Sequence, residues 1–123
     1  MTPQDILWLF AAFTLKHFVC DFLLQRSYQW RNKGQYGHPG GVLHAAIHAA
    51  GSVAVLCLWG FALSIILPLV IIEALLHYHI DWVKANVTRH YQLTFGNDNF
   101  WILFGADQAL HMLTYVGMIA WLL

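Results

Sequence analysis

The amino-acid sequence predicts an all-α, polytopic membrane protein, a bundle of four transmembrane helices built as two parallel helical-hairpin repeats. The first observation is composition: of 123 residues, 59% are hydrophobic and only 10% are charged, far from the balance of a soluble domain. The second is that apolar stretches of about 20 residues, the length that crosses the hydrocarbon core, occur four times. The third is a repeated pattern of polar residues inside those stretches.

Four spans are predicted within a single transmembrane domain that covers residues 1–123. Their bounds are about 4–26, 41–60, 63–84 and 99–122. The apolar run from Val42 to Leu76 would be on the order of 50 Å long as one helix, so it must turn back, and Gly60 is the expected turn. Pro68 is the alternative boundary, because proline suits the first turn of a helix better than its interior.

Positive charges predict the orientation in the membrane. They lie in or beside the loops that join the first span to the second and the third to the fourth: Arg26, Arg31, Lys33, Lys84 and Arg89. By the positive-inside rule both long loops are cytoplasmic and both termini lie outside, in a multi-pass protein of the inner (plasma) membrane. Lys16, although it lies within the first span, is expected to extend to the cytoplasmic surface and contact lipid phosphates.

Two kinds of site are not expected. Basic residues are few and scattered, so nothing indicates a nucleic-acid-binding surface. Cys20 and Cys57 lie in different spans at opposite predicted depths, so we expect neither a disulfide nor a thiolate metal site. The expected partners are the lipid bilayer, a lipid or anionic substrate, and further copies of this chain in a homo-oligomer.

Ligand-type side chains share one face on each span. Residues four apart lie on the same side of a helix, and every span presents one such pair: His17 with Asp21, His44 with His48, His77 with Asp81, and Asp107 with His111. Glu73 lies one turn before His77 on the third span. Hairpins that close at the loops and at Gly60 would bring the four pairs to a similar depth, within about three turns of the cytoplasmic loops.

The polar pattern also repeats along the chain. HFVCDF in the first span matches HYHIDW in the third, and HAAIH in the second matches DQALH in the fourth. The offsets are about 60 and 63 residues, which predicts two parallel hairpins at about 4–60 and 63–122. An axis along the membrane normal would relate them, as in some transporters.

Imidazole and carboxylate together are typical ligands of zinc, manganese or iron. Because each ionisable group costs roughly 2.5–3.5 kcal/mol in lipid, a purely structural role for so many is disfavoured. We expect one or two divalent ions, bound by residues from this set: His17, Asp21, His44, His48, His77, Asp81, Asp107 and His111. Glu73 and Asp107 are the candidate catalytic residues. Gln25, Lys84 and Gln108 are the candidate substrate-binding residues, while His79 faces away from His77 and Asp81.

Four segments, HFVCDFLLQ, HAAIH, HYHIDWVKA and FGADQALHM, together resemble the domain-of-unknown-function family 3307, small integral membrane proteins of bacteria and their phages. The matching positions are His17, Asp21, Phe22, Gln25, His77, Asp81, Lys84, Asp107, Gln108 and His111. The resemblance implies the helical architecture and the polar core, and it implies no reaction.

The favoured function is a metal-dependent enzyme of the hydrolase type, with a site near the cytoplasmic face. A metal-ion or proton transporter is the alternative from another class, and four short spans would have to oligomerise to form its path. A haem protein with two histidine ligands is a third hypothesis. The structural alternative is a non-catalytic protein in which His–Asp hydrogen bonds join the helices. Because the outer halves of the spans are apolar, a site open only to the cytoplasm is favoured over transport.

Overall fold

Five α-helices make up the protein in the computed structural model, which describes all 123 residues. They are α1 (Pro3–Phe18), α2 (Ser27–Trp30), α3 (Pro39–Leu58), α4 (Leu63–His90) and α5 (Asp98–Trp121). Helix α1 continues through a π-helical turn, Val19–Leu23. No strand is present and 79% of the residues are helical, which confirms the all-α prediction.

Four helices are long and apolar enough to cross a membrane: Pro3–Leu23, Pro39–Leu58, Leu63–His90 and Asp98–Trp121. The chain turns between α3 and α4 at Gly60, where φ is +79°, a conformation that glycine adopts without strain. The alternative boundary at Pro68 is wrong, because this proline lies inside α4. Because proline has no backbone N–H, at the sixth position of α4 it cannot donate the usual hydrogen bond to the Ser64 carbonyl.

Local sequence explains where two of the spans begin. The Thr2 hydroxyl accepts a hydrogen bond from the Asp5 amide at 3.2 Å, and the Asp5 carboxylate accepts one from the Thr2 amide at 2.7 Å. This reciprocal cap satisfies donors that the first helical turn leaves free. Helix α3 starts in a similar way, with His38 Nδ1 accepting from the Gly40 amide at 3.0 Å. A proline follows each cap, at the position where its missing N–H costs nothing.

The four long helices form a ring. Helix α3 packs on α1 and on α4, and α5 packs on α4 and on α1, whereas the diagonal pairs α1–α4 and α3–α5 have no close backbone contact. Short α2 lies against α3. All four long helices therefore surround one common interior, and a residue that faces inward on any of them can reach the other three.

That interior is divided by depth. Toward the chain termini it is apolar, with Leu9, Phe13, Leu56, Ile66 and Met118 among its buried side chains. Toward the long loops the buried side chains are mostly histidines and acids. The outer surface carries many exposed large hydrophobic side chains, the pattern expected where the surrounding solvent is lipid.

Candidate metal centre

The ligand-type pairs of all four spans meet in the loop-side half of the interior. The five histidines of these pairs are at most 2% exposed: His17, His44, His48, His77 and His111. Their rings lie close together, and the centroids of His48 and His77 are 3.8 Å apart. The i, i+4 spacing that placed each pair on one helix face is what directs these side chains inward.

Asp21 is surrounded by histidines from α1 and α3. Its Oδ2 lies 3.1 Å from His17 Nε2, and its Oδ1 lies 3.1 Å from His44 Nε2. His48 Nε2 lies 3.2 Å from the same Oδ1. Asp21, His44, His48 and His77 each offer a ligand atom, and these four atoms lie within 4.8 Å of one another, close enough to hold one ion.

A second group of potential ligands is formed on α4 and α5. His77, Asp81 and His111 also place one ligand atom each within 4.8 Å of the others. His77 Nε2 lies 3.3 Å from Asp81 Oδ2, and His44 Nε2 lies 3.4 Å from the same oxygen. Because the two groups share His77, they form one continuous centre.

The geometry of these contacts is compatible with ligands around an ion. Four Nε2 atoms are buried without any hydrogen-bond partner: those of His17, His44, His77 and His111. Three of them nevertheless lie 3.1–3.4 Å from carboxylate oxygens. Ligand atoms bound to zinc at about 2.0–2.1 Å in a tetrahedron lie about 3.3 Å apart, so lone pairs at these separations can point at a common cation.

Charge gives a second reason for a cation. Asp81 has a lysine partner, with Lys33 Nζ 2.9 Å from its Oδ2, and Lys84 Nζ lies 3.9 Å from Asp107 Oδ2. Asp21 has no lysine or arginine partner, and its carboxylate contacts three histidines and Gln108. A buried carboxylate requires a cationic partner or several hydrogen bonds, and Asp21 therefore lies where an added cation would be most strongly attracted.

Neighbouring groups determine which nitrogen of a histidine faces the centre. His44 Nδ1 donates to Gln29 Oε1 at 3.2 Å, because an amide oxygen can only accept. His111 Nδ1 likewise donates to the Asp107 carbonyl at 2.8 Å. Both histidines are left with Nε2 as the free lone pair, the arrangement that metal-binding histidines require.

Sequence reasoning missed three residues at this centre. Gln29 and Lys33 belong to a segment predicted as a loop, and no spacing rule connects it to the spans. Helical spacing could have predicted Tyr115, because it lies one turn after His111 on the same face of α5. Its hydroxyl lies 3.1 Å from His17 Nδ1.

Lys16 does not reach the cytoplasmic surface, and that expectation is wrong. The side chain is buried, and its Nζ donates to Glu73 Oε1 at 2.6 Å and to the Tyr115 hydroxyl at 2.9 Å. Gly51 on α3 makes room for it, since a Cβ there would lie 2.8 Å from Lys16 Cγ. Glu73 is thus held by a lysine between the apolar layer and the centre, outside both groups of potential ligands.

The predicted substrate-binding residues differ in their positions. Gln108 Nε2 donates to Asp107 Oδ2 at 3.1 Å and lies 3.4 Å from Asp21 Oδ2, so it borders the centre. Lys84 reaches Asp107 from the outer side, with 27% of its side chain exposed. Gln25 instead bonds the Asp21 carbonyl on its own helix.

Two predicted site residues lie beside the groups of potential ligands rather than in them. His17 contacts Asp21, and Asp107 Oδ1 lies 3.8 Å from His111 Nδ1, but neither residue belongs to a group that could hold an ion. His79 is exposed, as expected from its angle on α4, and its Nε2 lies 3.0 Å from the Tyr36 hydroxyl.

Comparison with known protein families gives one match. A family model described as "Protein of unknown function (DUF3307)" matches residues 9–122, which include all four pairs of the centre. The chain belongs to this family. No curated protein and no solved structure matches the chain. Since the description of the DUF3307 family states no activity, the function of this DUF3307 protein has to be argued from the chemistry of its centre.

Proposed function

We propose that this protein binds one or two divalent metal ions within the membrane and uses them for hydrolysis, with His44, His48, His77, His111, Asp21 and Asp81 as the ligands. The observation that carries the proposal is the set of buried, unpartnered Nε2 atoms beside carboxylates. Burying such atoms without a hydrogen bond is costly, and a bound cation removes that cost.

The ligand chemistry favours zinc, manganese or iron. The set mixes neutral nitrogen with carboxylate oxygen, whereas calcium and magnesium prefer oxygen alone. Facing helices that direct His and acid side chains inward are also the arrangement of two-metal sites in soluble four-helix bundles. A bound ion of this kind activates water and polarises a phosphoryl or acyl oxygen.

Asp107 is the best placed proton acceptor for such a hydrolysis. It is 4% exposed, its Oδ1 has no hydrogen-bond partner, and it borders His111 without joining the groups of potential ligands. Glu73 is less suitable, because Lys16 already bonds its Oε1. A base that contributes by proton transfer typically accounts for a factor of about 10²–10⁴ in rate.

The arrangement favours an enzyme over a transporter. The terminus-side half of the interior is filled by apolar side chains such as Leu9, Phe13 and Ile66. Apart from the paired Lys16 and Glu73, this half offers an ion no continuous set of ligands. An ion that enters from the loops would therefore stay at the centre.

Elemental analysis of the purified protein tests the metal. We expect one or two equivalents of metal in the wild type and a loss of at least one in His77→Ala, because His77 is shared by both groups of potential ligands. His79→Ala is the matched control, since His79 lies on the same helix, is exposed and stays outside the groups. A wild type without stoichiometric metal after mild purification, or equal loss in the two variants, would contradict the proposal.

Hydrolysis is tested separately with Asp107→Asn. Phosphatidylglycerol vesicles serve as the substrate, and released products are measured by mass spectrometry. We expect the variant to keep its metal and to lose turnover by a factor of about 10² or more. Full activity of Asp107→Asn would refute Asp107 as the base, and a metal-loaded wild type that releases no product would refute hydrolysis of this lipid class while leaving metal binding intact.

A further inference from the structure

A continuous apolar groove runs along the outer surface between α4 and α5. One part has a volume of about 450 Å³ and extends from Trp121 and Met118 along Leu110. The other, about 260 Å³, continues from Leu110 to Lys84 and Asp107. The two parts share Leu76, Ile80 and Leu110, so they form one groove. It begins among apolar side chains and ends beside the candidate metal centre.

The length of this groove suits an acyl chain. From Leu69 at one end to Lys84 at the other, α4 rises roughly 22 Å at 1.5 Å per residue. One leaflet of the hydrocarbon core is about 15 Å thick, half of the whole. A lipid tail lying in the groove could therefore be buried along its length with its headgroup at the Lys84 end.

The loop-side end of the groove carries a positively charged side chain. The Lys84 side chain is 27% exposed, and its Nζ lies 3.9 Å from Asp107, at the outer limit of an ion pair. The Lys33 side chain is 12% exposed, and its Nζ lies 2.9 Å from Asp81. Lys84 is thus the less engaged of the two ammonium groups, and an ammonium binds phosphate as a point charge. The neighbouring groove between α3 and α4 carries no Lys, Arg, Asp or Glu among its lining residues.

We propose that the α4–α5 groove binds a lipid with an anionic phosphate headgroup, placing its acyl chain against Leu76, Ile80 and Leu110 and its phosphate on Lys84. The inference rests on the proposed function in one respect: it names the substrate class and brings the headgroup to Asp107 at the edge of the centre. The binding itself requires only the groove and Lys84.

Two glycines on α5 provide a matched pair of variants. A Cβ at Gly117 or at Gly105 meets no atom within 4 Å, so either position accepts a side chain without a clash. Both are exposed, but only Gly117 lines the described α4–α5 groove. Gly117→Phe therefore fills the groove, and Gly105→Phe adds the same apolar surface outside it.

The experiment counts retained lipids by native mass spectrometry, using chelator-treated protein in micelles with equal phosphatidylglycerol and phosphatidylcholine. We expect the wild type and Gly105→Phe to retain one phosphatidylglycerol per chain. Retention should fall about tenfold in Gly117→Phe, equivalent to losing roughly two buried methylene groups. Lys84→Met should bind both lipids equally, whereas Lys84→Arg should keep the preference. Gly117→Leu, a smaller insertion, provides the same test if the phenylalanine variant does not fold.

Three outcomes would overturn the inference. They are equal retention by Gly117→Phe and Gly105→Phe, equal retention of both lipids by the wild type, and displacement of the lipid by millimolar inorganic phosphate, which would indicate a free-anion site. Because the protein is metal-free in this experiment, its result is independent of the elemental analysis. Lipid retention here, combined with a wild type that carries no metal in the elemental analysis, would sustain the groove and reject the centre. Stoichiometric metal in that analysis without lipid retention here would do the reverse.

Discussion

Gln29 shows how a residue outside the spans can determine the chemistry inside them. It is 4% exposed and accepts the Nδ1 proton of His44, which leaves His44 Nε2 facing Asp21 and Asp81. Without this acceptor no hydrogen bond fixes which nitrogen of the ring carries the proton. Groups that orient metal-binding histidines in this way typically affect affinity by about 10–100-fold.

Gln29→Leu, which keeps most of the volume but removes the amide, is therefore expected to weaken metal binding by about 10–100-fold. The measurement is competition with a fluorescent chelator in detergent. Gln35→Leu is the control, because Gln35 is exposed and its side chain hydrogen-bonds only to Asn32. Unchanged affinity in Gln29→Leu would show that His44 needs no orienting partner or binds no metal.

The Lys16–Glu73 pair allows the free-energy cost of an unpaired buried charge to be measured. Both side chains are nearly inaccessible, and the nitrogen and oxygen lie 2.6 Å apart. Removing one charge leaves the other buried alone, which typically costs about 3–5 kcal/mol, while replacing both by apolar groups is often neutral. We therefore expect Lys16→Met and Glu73→Leu each to lower the thermal unfolding temperature in detergent, and the double variant to recover most of the loss. A double variant as unstable as the sum of the singles would contradict this account.

Among the elements, the π-helical turn Val19–Leu23 is the least regular and contains Asp21. The turn is closed by the Leu24 amide, which donates to the Val19 carbonyl at 3.0 Å. Such turns occur frequently at functional sites. Here the turn carries Asp21, whose carboxylate meets His44 and His48 of α3.

The segment between α2 and α3, residues 31–38, lies against α4 near the centre. The Gly37 amide donates to the Tyr78 hydroxyl at 2.6 Å, Asn86 donates to the Gly34 carbonyl at 3.1 Å, and Lys33 reaches Asp81. These contacts hold the segment beside Asp81 and limit access from that side.

Tyr78→Phe removes the acceptor for the Gly37 amide and should loosen this segment. A typical hydrogen bond contributes about 0.5–1.5 kcal/mol, so amide hydrogen exchange at Gly37 should become roughly 2–13-fold faster. Tyr91→Phe is the control, since Tyr91 is exposed and its hydroxyl forms no hydrogen bond in the structure. Equal protection of Gly37 in wild type and Tyr78→Phe would show that other contacts hold the segment.

For the whole molecule, the distribution of charge predicts orientation. The segment with Arg31 and Lys33, and the α4–α5 loop that follows Arg89, should be cytoplasmic, and both termini should lie outside. In a background without Cys20 and Cys57, Gln35→Cys should react with a membrane-impermeant thiol reagent only after the cells are opened. Gln4→Cys, at the exposed start of α1, should react from outside. The reverse pattern would invert the topology and move the proposed centre to the external face.

The two-hairpin repeat stays a prediction, although corresponding contacts have similar geometry. His17 Nε2 lies 3.1 Å from Asp21 Oδ2 in the first hairpin, and His77 Nε2 lies 3.3 Å from Asp81 Oδ2 in the second. The Lys16–Glu73 pair and the π turn break the correspondence. The pair lies where the interior changes from apolar to polar, and the π turn lies at Asp21 within the polar half, so the two halves differ in the surroundings of their acids.

Composition and helical spacing alone determined the four apolar helices, the turn at Gly60 and the face on which each ligand-type pair lies. These features depend on the 3.6-residue period and on the length of a span, which are local properties. Only the tertiary structure decided which atoms meet. Lys16 turns inward because Gly51 leaves room on α3. Gln29 reaches His44 from the short helix α2, and Lys33 reaches Asp81 from the segment that follows α2. Helix rotation, side-chain direction and loop path set such contacts, and all three depend on packing between distant parts of the chain.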